Sequence, residues 1–134
     1  MAQHARGPFE VTMTPQAPDD TPTGAAVSRL SLQKQFHGDL DATSTGQMLA
    51  VRTEIDGSAG YVAMEQVTGT LQGRRGAFAL QHSGTMERGT PSLTVTVVPD
   101  SGTGQLVGLA GALAIEIVDG QHVYDLTYTL PAAE

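Results

Sequence analysis

Two side chains carry the first hint of chemistry. Glu65 lies in a stretch where Tyr61, Val67 and Leu71 share its parity, and His82 shares a parity with Phe78 and Leu80. Side chains along a strand alternate between faces, so each polar group falls on a face that is otherwise apolar and points inward. The turn between the two segments is expected near Gly73 to Arg75, and Glu65 and His82 lie at similar distances from it. They are therefore expected to be close to cross-strand partners on one face. A carboxylate beside an imidazole in a low-dielectric cavity can hold a general base near neutral pH. Tyr124 shares its strand face with Tyr128 and offers a phenolic donor, so Glu65, His82 and Tyr124 are the candidate catalytic residues. Phe36, Tyr61, Phe78, Leu80, Val95 and Tyr128 are the candidate ligand-binding wall.

A plainer reading of the same residues stays open. Glu65 and His82 can satisfy each other inside a barrel that holds no ligand, or a bulge can turn one of them to solvent. Tyrosines in barrel cores commonly tie the hydroxyl to backbone. Lys34 shares the parity of Leu32 and Phe36, but a lysine usually snorkels to the surface.

Other constellations are weak. His37, Asp39 and Asp41 fall on a parity that is otherwise Gln, Ser and Thr, which reads as a solvated outer face, so no metal site is expected. Gly102-Thr103-Gly104 lacks the lysine and following helix of a phosphate loop. The adjacent Arg74 and Arg75 sit at a turn, where exposed cations serve solubility. No cysteine is present, which excludes disulfides, zinc–thiolate sites and thiol catalysis. No cofactor is expected.

The elements that must position these residues are strands. Glycine at 16 of 134 residues, with 7 prolines and many Thr and Ser, favours turns and pleated surface over helix. Phe9 to Thr14 alternates apolar and polar residues, and the Pro-rich segment 15–24 cannot continue a ladder. Val27 to Val51 reads as extended chain, with Gly38 and Gly46 as bends or bulges. Tyr61 to Leu71 and Ala77 to Met86 form a hairpin across Gln72 to Gly76. Leu93 to Val97, the apolar runs Leu106 to Ala110 and Leu113 to Val118, and His122 to Leu130 complete the set, the last two joined by Asp119-Gly120. Seven or eight strands with glycines inside them favour one closed antiparallel barrel spanning residues 1–134 over a sandwich.

The segment Ser101-Gly102-Thr103-Gly104-Gln105-Leu106-Val107-Gly108-Leu109-Ala110-Gly111 resembles the glycine-rich signature of allene oxide cyclase and dirigent-type barrels. Glu65 to Gly84 together with Val98 to Gly104 resembles a bacterial domain family of unknown function built on that barrel, and the likeness covers about positions 60 to 130. The resemblance implies an all-β, eight-stranded antiparallel barrel of the allene-oxide-cyclase-like type with a central cavity, assembled as a dimer or trimer. It also implies relatives that isomerise or cyclise apolar molecules, although a fold alone fixes no activity.

Charge narrows the partners. The net charge is −7, Lys34 is the sole lysine and there is no Trp, so there is neither a basic stripe for phosphates nor a stacking platform, and no nucleic acid is expected. No run of about 18 apolar residues and no signal-like start occurs, so a cytoplasmic protein without membrane attachment is expected. The expected partner is an apolar small-molecule ligand, bound or turned over without a cofactor. The alternatives are a ligand carrier and a non-catalytic oligomeric domain whose exposed Val62 and Met64 face a partner.

Overall fold

Three two-residue turns, Gln72-Gly73, Arg88-Gly89 and Asp119-Gly120, have both residues at positive φ, the conformation whose twist matches that of paired strands. Each closes a hairpin of long strands. The computed structural model of the chain describes residues 2–15 and 27–131. The strands are β1 (Gln3–Pro15), β2 (Val27–Phe36), β3 (Leu40–Arg52), β4 (Ala59–Leu71), β5 (Arg74–Glu87), β6 (Thr90–Val97), the two-residue β7 (Thr103–Gly104), β8 (Ala110–Val118) and β9 (Gln121–Thr129). The pairing order β4-β3-β2-β1-β9-β8-β6-β5 closes through β4–β5 into an eight-stranded antiparallel barrel, with β7 added beside β5. There is no helix among the described residues, and so none long and apolar enough to cross a membrane.

Several local expectations are corrected. Val27 to Val51 is not one bent strand but the hairpin β2–β3, which reverses at His37-Gly38-Asp39 with Phe36 opposite Ala42. Gly38 takes the positive φ that this reversal needs. Gly46 is no bend: it lies opposite Glu65, and a Cβ there would come within 2.7 Å of the Glu65 Cα. The strand β1 begins at Gln3, well before the alternating run, because its N-terminal half pairs with β9. Of the run Leu106 to Ala110, Ala110 opens β8 and Leu106 to Leu109 is turn rather than strand, held by Leu106 N donating to Thr103 O and Leu109 N donating to Leu106 O. Of the Pro-rich segment 15–24, Pro15 ends β1 and the rest lies outside the described residues.

The interior is filled unevenly. Near the β2–β3 and β4–β5 turns, Leu40, Leu71, Phe78, Leu106, Leu109, Tyr124 and Tyr128 are buried in one packed cluster, each such side chain stabilising the fold by roughly 1.5–3 kcal/mol. Leu106 and Leu109 come from the glycine-rich turns and help plug this end. Gly102 makes that possible, since a Cβ there would lie 1.9 Å from Leu106 O. At the opposite end the strands open around a cavity.

A buried carboxylate network beneath an open cavity

Glu65, His82, Lys34 and Ser44 meet in one layer across the barrel, between the packed end and the cavity. Lys34 comes from β2, Ser44 from β3, Glu65 from β4 and His82 from β5. All four are buried. Glu65 Oε1 accepts from Lys34 Nζ at 3.1 Å and from His82 Nε2 at 3.0 Å, while Oε2 accepts from Ser44 Oγ at 2.9 Å. Lys34 Nζ also lies 5.3 Å from the Phe9 ring centroid and 5.9 Å from that of Phe36, a placement that favours a cation.

The register corrects the expected pairing in one respect. Glu65 stands directly opposite Leu80, and His82 opposite Ala63, so the two residues meet along a diagonal. Strands of a small barrel tilt steeply to its axis, and residues at one level are therefore offset along each ladder. Ser44 obeys the same offset, since its direct partner on β4 is Val67.

Electrostatics keep Glu65 ionised. Burial alone pushes its carboxyl up, but the hydrogen bond from His82 and the charge of Lys34 outweigh burial and hold it below the ordinary value. Among the described residues no buried side-chain polar atom is left without a partner.

Above this layer is a cavity of about 830 Å³, within the range of sites for drug-sized molecules. Met13, Leu30, Met48, Met86 and Leu93 give it an apolar wall, and among the described lining residues Arg52 is the only charged one. Tyr61 belongs to both cavity and network: it lines the cavity, and its hydroxyl lies 3.5 Å from His82 Nδ1. Burial, and then the charge of Glu65, push the Tyr61 phenol up.

The remaining candidates fall elsewhere. Of the six expected wall residues, Tyr61 lines this cavity, whereas Phe36, Phe78, Leu80, Val95 and Tyr128 belong to the packed core. Tyr124 is not brought to Glu65 and His82. Its hydroxyl donates to His37 O at 2.6 Å and accepts from Leu40 N at 2.8 Å, which locks the β2–β3 turn. Burial, with the nearby Asp39 and Asp41 adding to it, pushes that phenol up to about 12. The Tyr128 hydroxyl binds Gln72 Oε1.

His37 and Asp39 serve local contacts, His37 with Glu10 and Asp39 with the Arg6 amide, and no cluster fit for a metal ion occurs among the described residues. Lys34 was expected at the surface and is instead an ion-pair partner. Its signal was present as the chain's one lysine on an apolar parity. Ser44 and the methionines of the cavity wall were missed, because nothing in a small hydroxyl or a scattered methionine marks a site.

Fold and site together define a class, the closed eight-stranded antiparallel barrel with a buried ion-paired network under an apolar mouth. The chain belongs to the DUF3224 family, described as a protein of unknown function, whose model matches residues 5–128. It is similar to a DUF3224 protein with unknown function from Shewanella oneidensis MR-1 whose crystal structure is solved. The two share 45% sequence identity with a TM-score of 0.93, over 99% of this chain and 100% of that one. No curated protein matches the chain.

Proposed function

We propose that this barrel holds an apolar or amphipathic small molecule in the cavity at its open end, and that Tyr61, backed by His82 and Glu65, meets the molecule's polar group. The observation that carries this reading is Tyr61, which lines an apolar cavity and touches His82, itself bound to a buried carboxylate. A general base oriented by a carboxylate suits cofactor-independent proton transfer, as in an isomerase or cyclase. A shaped cavity would favour such a reaction further by holding a flexible substrate in one conformer. The resemblance of the glycine-rich segment to cyclase-type barrels supports the same reading.

The test is displacement of a neutral fluorescent probe, N-phenylnaphthylamine, with native mass spectrometry of the freshly purified protein. Ala50 lies directly opposite Tyr61, so Ala50→Trp puts an indole into the cavity. Wild type is expected to bind the probe and Ala50→Trp to lose about ten-fold or more in affinity, as when an apolar pocket is filled. Equal binding by both would refute the assignment of the cavity.

A second reading concerns the outer face. We propose that a second copy of the chain packs against β3–β4, where Leu49 is directly opposite Val62 and Met64 follows, exposed by 45%, 52% and 51%. The outward residues around them are Thr, Gln, Ala and Ser, with the cation Arg29 directly opposite Leu49 on β2 and no carboxylate among them, in a chain with 21 charged side chains. Two copies of a protein of net charge −7 repel wherever acidic surfaces meet, and this face is free of that repulsion.

A further inference from the structure

The hydrogen bonds of the buried layer have one direction, and it extends into the cavity. Glu65 as a carboxylate only accepts, so Lys34, Ser44 and His82 Nε2 all donate to it. In the neutral form of the imidazole the one ring proton is held on Nε2 by Glu65. Nδ1 is then an acceptor, and the Tyr61 hydroxyl at 3.5 Å is its donor. In that arrangement the Tyr61 proton is directed at His82, and the oxygen lone pairs are left to the cavity. The Tyr61 oxygen is therefore a hydrogen-bond acceptor in a largely apolar cavity, whose other described polar side chains are Ser28, Arg52, Thr85 and Ser92.

We propose that the cavity takes an apolar molecule bearing a hydroxyl group, of the phenol or ring-alcohol class, whose O–H donates to the Tyr61 oxygen. This rests on the cavity reading above and adds the polarity of the ligand to it. A ketone or ether of the same shape brings only an acceptor. To meet it at this position, Tyr61 must turn its proton into the cavity, which leaves His82 Nδ1 buried without that donor. The discrimination is thus enforced by the layer below the site as well as by the contact itself. Gly84 supports the arrangement from the side: it stands directly opposite Tyr61 and leaves the space the phenol ring occupies.

The experiment is calorimetric titration of the full chain with naphthol, with its methyl ether and with acetonaphthone, three compounds of similar apolar body. Wild type is expected to bind naphthol about ten-fold or more tightly than either acceptor-only compound, the size of effect that one unmet buried hydrogen bond produces. Tyr61→Phe is expected to retain the affinity for the methyl ether and to lose the preference for naphthol. Equal affinity of wild type for the three compounds, or a preference for the ketone, overturns this inference and leaves the cavity reading intact. Binding of none of them overturns both. The wild-type comparison decides the matter even where the variant fails to fold.

Discussion

The phenol ring of Tyr61 lies across Gly84 on the neighbouring strand, so closely that a Cβ at position 84 would be 2.4 Å from Tyr61 Cε1. The obstacle is a side chain, and Tyr61 is half-buried at the cavity wall, so the ring has somewhere to go. Gly84→Ala is therefore expected to fold, at a cost of about 1–3 kcal/mol for crowding, and to swing Tyr61 off His82. Near-UV circular dichroism should change in the tyrosine band, and the preference for naphthol should fall. An unchanged spectrum with unchanged binding would show that the ring does not rest on Gly84.

Gly46 makes the opposite case. A Cβ there would lie 2.3 Å from Met64 O and 2.7 Å from Glu65 Cα, both backbone atoms of the paired strand. Nothing flexible can yield. Gly46→Ala is expected to destabilise the barrel more than Gly84→Ala does, by displacing β4 beneath Glu65, which urea denaturation of the two variants compares directly.

Much of this layer was legible in sequence because strand periodicity is strict. Glu65 and His82 had to share a face with Val67 and Leu80, and the structure puts them 3.0 Å apart. Their diagonal offset was not legible, since the tilt that produces it belongs to the closed barrel and not to either strand. The hairpin turns Gln72-Gly73 and Asp119-Gly120 left a clear local mark, whereas the reversal at His37-Gly38-Asp39 read only as a bend at Gly38, because the parity of Phe36 continues unbroken into Leu40. The packed and open ends of the interior were likewise invisible. They depend on Leu106 and Leu109 folding back from a turn region, which periodicity does not describe.

Removal of one charge from the buried ion pair should cost far more than removal of both. Lys34 and Glu65 have side-chain exposures of 5% and 0%, so Glu65→Leu leaves an ammonium buried without its counter-ion. A loss of about 3–5 kcal/mol is expected, and the double variant Lys34→Met, Glu65→Leu should regain a large part of it. The check is equilibrium unfolding of both proteins with a common m-value. A double variant no more stable than the single one would mean that Ser44 and His82, rather than Lys34, are what Glu65 stabilises.

The same carboxyl sets an acid limit to stability. Its folded-state value lies below the ordinary 4.5, so the unfolded chain takes up a proton at higher pH than the folded one does. The contribution of Glu65 is complete above that unfolded value and is lost as pH falls through the folded one. Lys34, His82 and Ser44 are the groups that face this carboxyl, each at hydrogen-bond distance from it. Unfolding free energy is expected to drop below pH 4.5 in wild type and to drop less steeply in Glu65→Gln. Parallel pH curves would assign the acid limb to surface carboxylates such as Asp125 instead.

A charge placed on the outer face of β3–β4 tests its role without touching the interior. Val62 points outward opposite Leu49, so Val62→Glu is expected to leave thermal stability within about 0.5 kcal/mol, as surface changes do. If two copies meet there, light scattering should show wild type as an oligomer and Val62→Glu as a monomer at the same concentration. Equal masses for the two proteins would remove this face as the interface.

At high pH the limit should come from Tyr124. Its hydroxyl donates to the His37 carbonyl and accepts from the Leu40 amide, so ionisation would break the bond to His37 and bring a phenolate beside Asp39 and Asp41. The folded-state value is raised to about 12 against an ordinary 10.0. The folded form therefore keeps its proton after the unfolded chain has lost it, and the stability this group contributes is present in full below pH 10.0 and lost as pH rises towards 12. Tyr124→Phe cannot ionise, so it should be less stable than wild type at neutral pH by about 1–3 kcal/mol, for the Leu40 amide left without its acceptor, and should close that gap as the pH rises. Phenolate absorbance gives the independent measure. The chain has three tyrosines, and all three are held above the ordinary value, so none should ionise in the folded protein at pH 10.0 to the extent a free tyrosine does. An early step in absorbance that survives in Tyr124→Phe would have to come from Tyr61 or Tyr128. A step absent from the variant alone would instead show that the β2–β3 turn opens before the barrel unfolds.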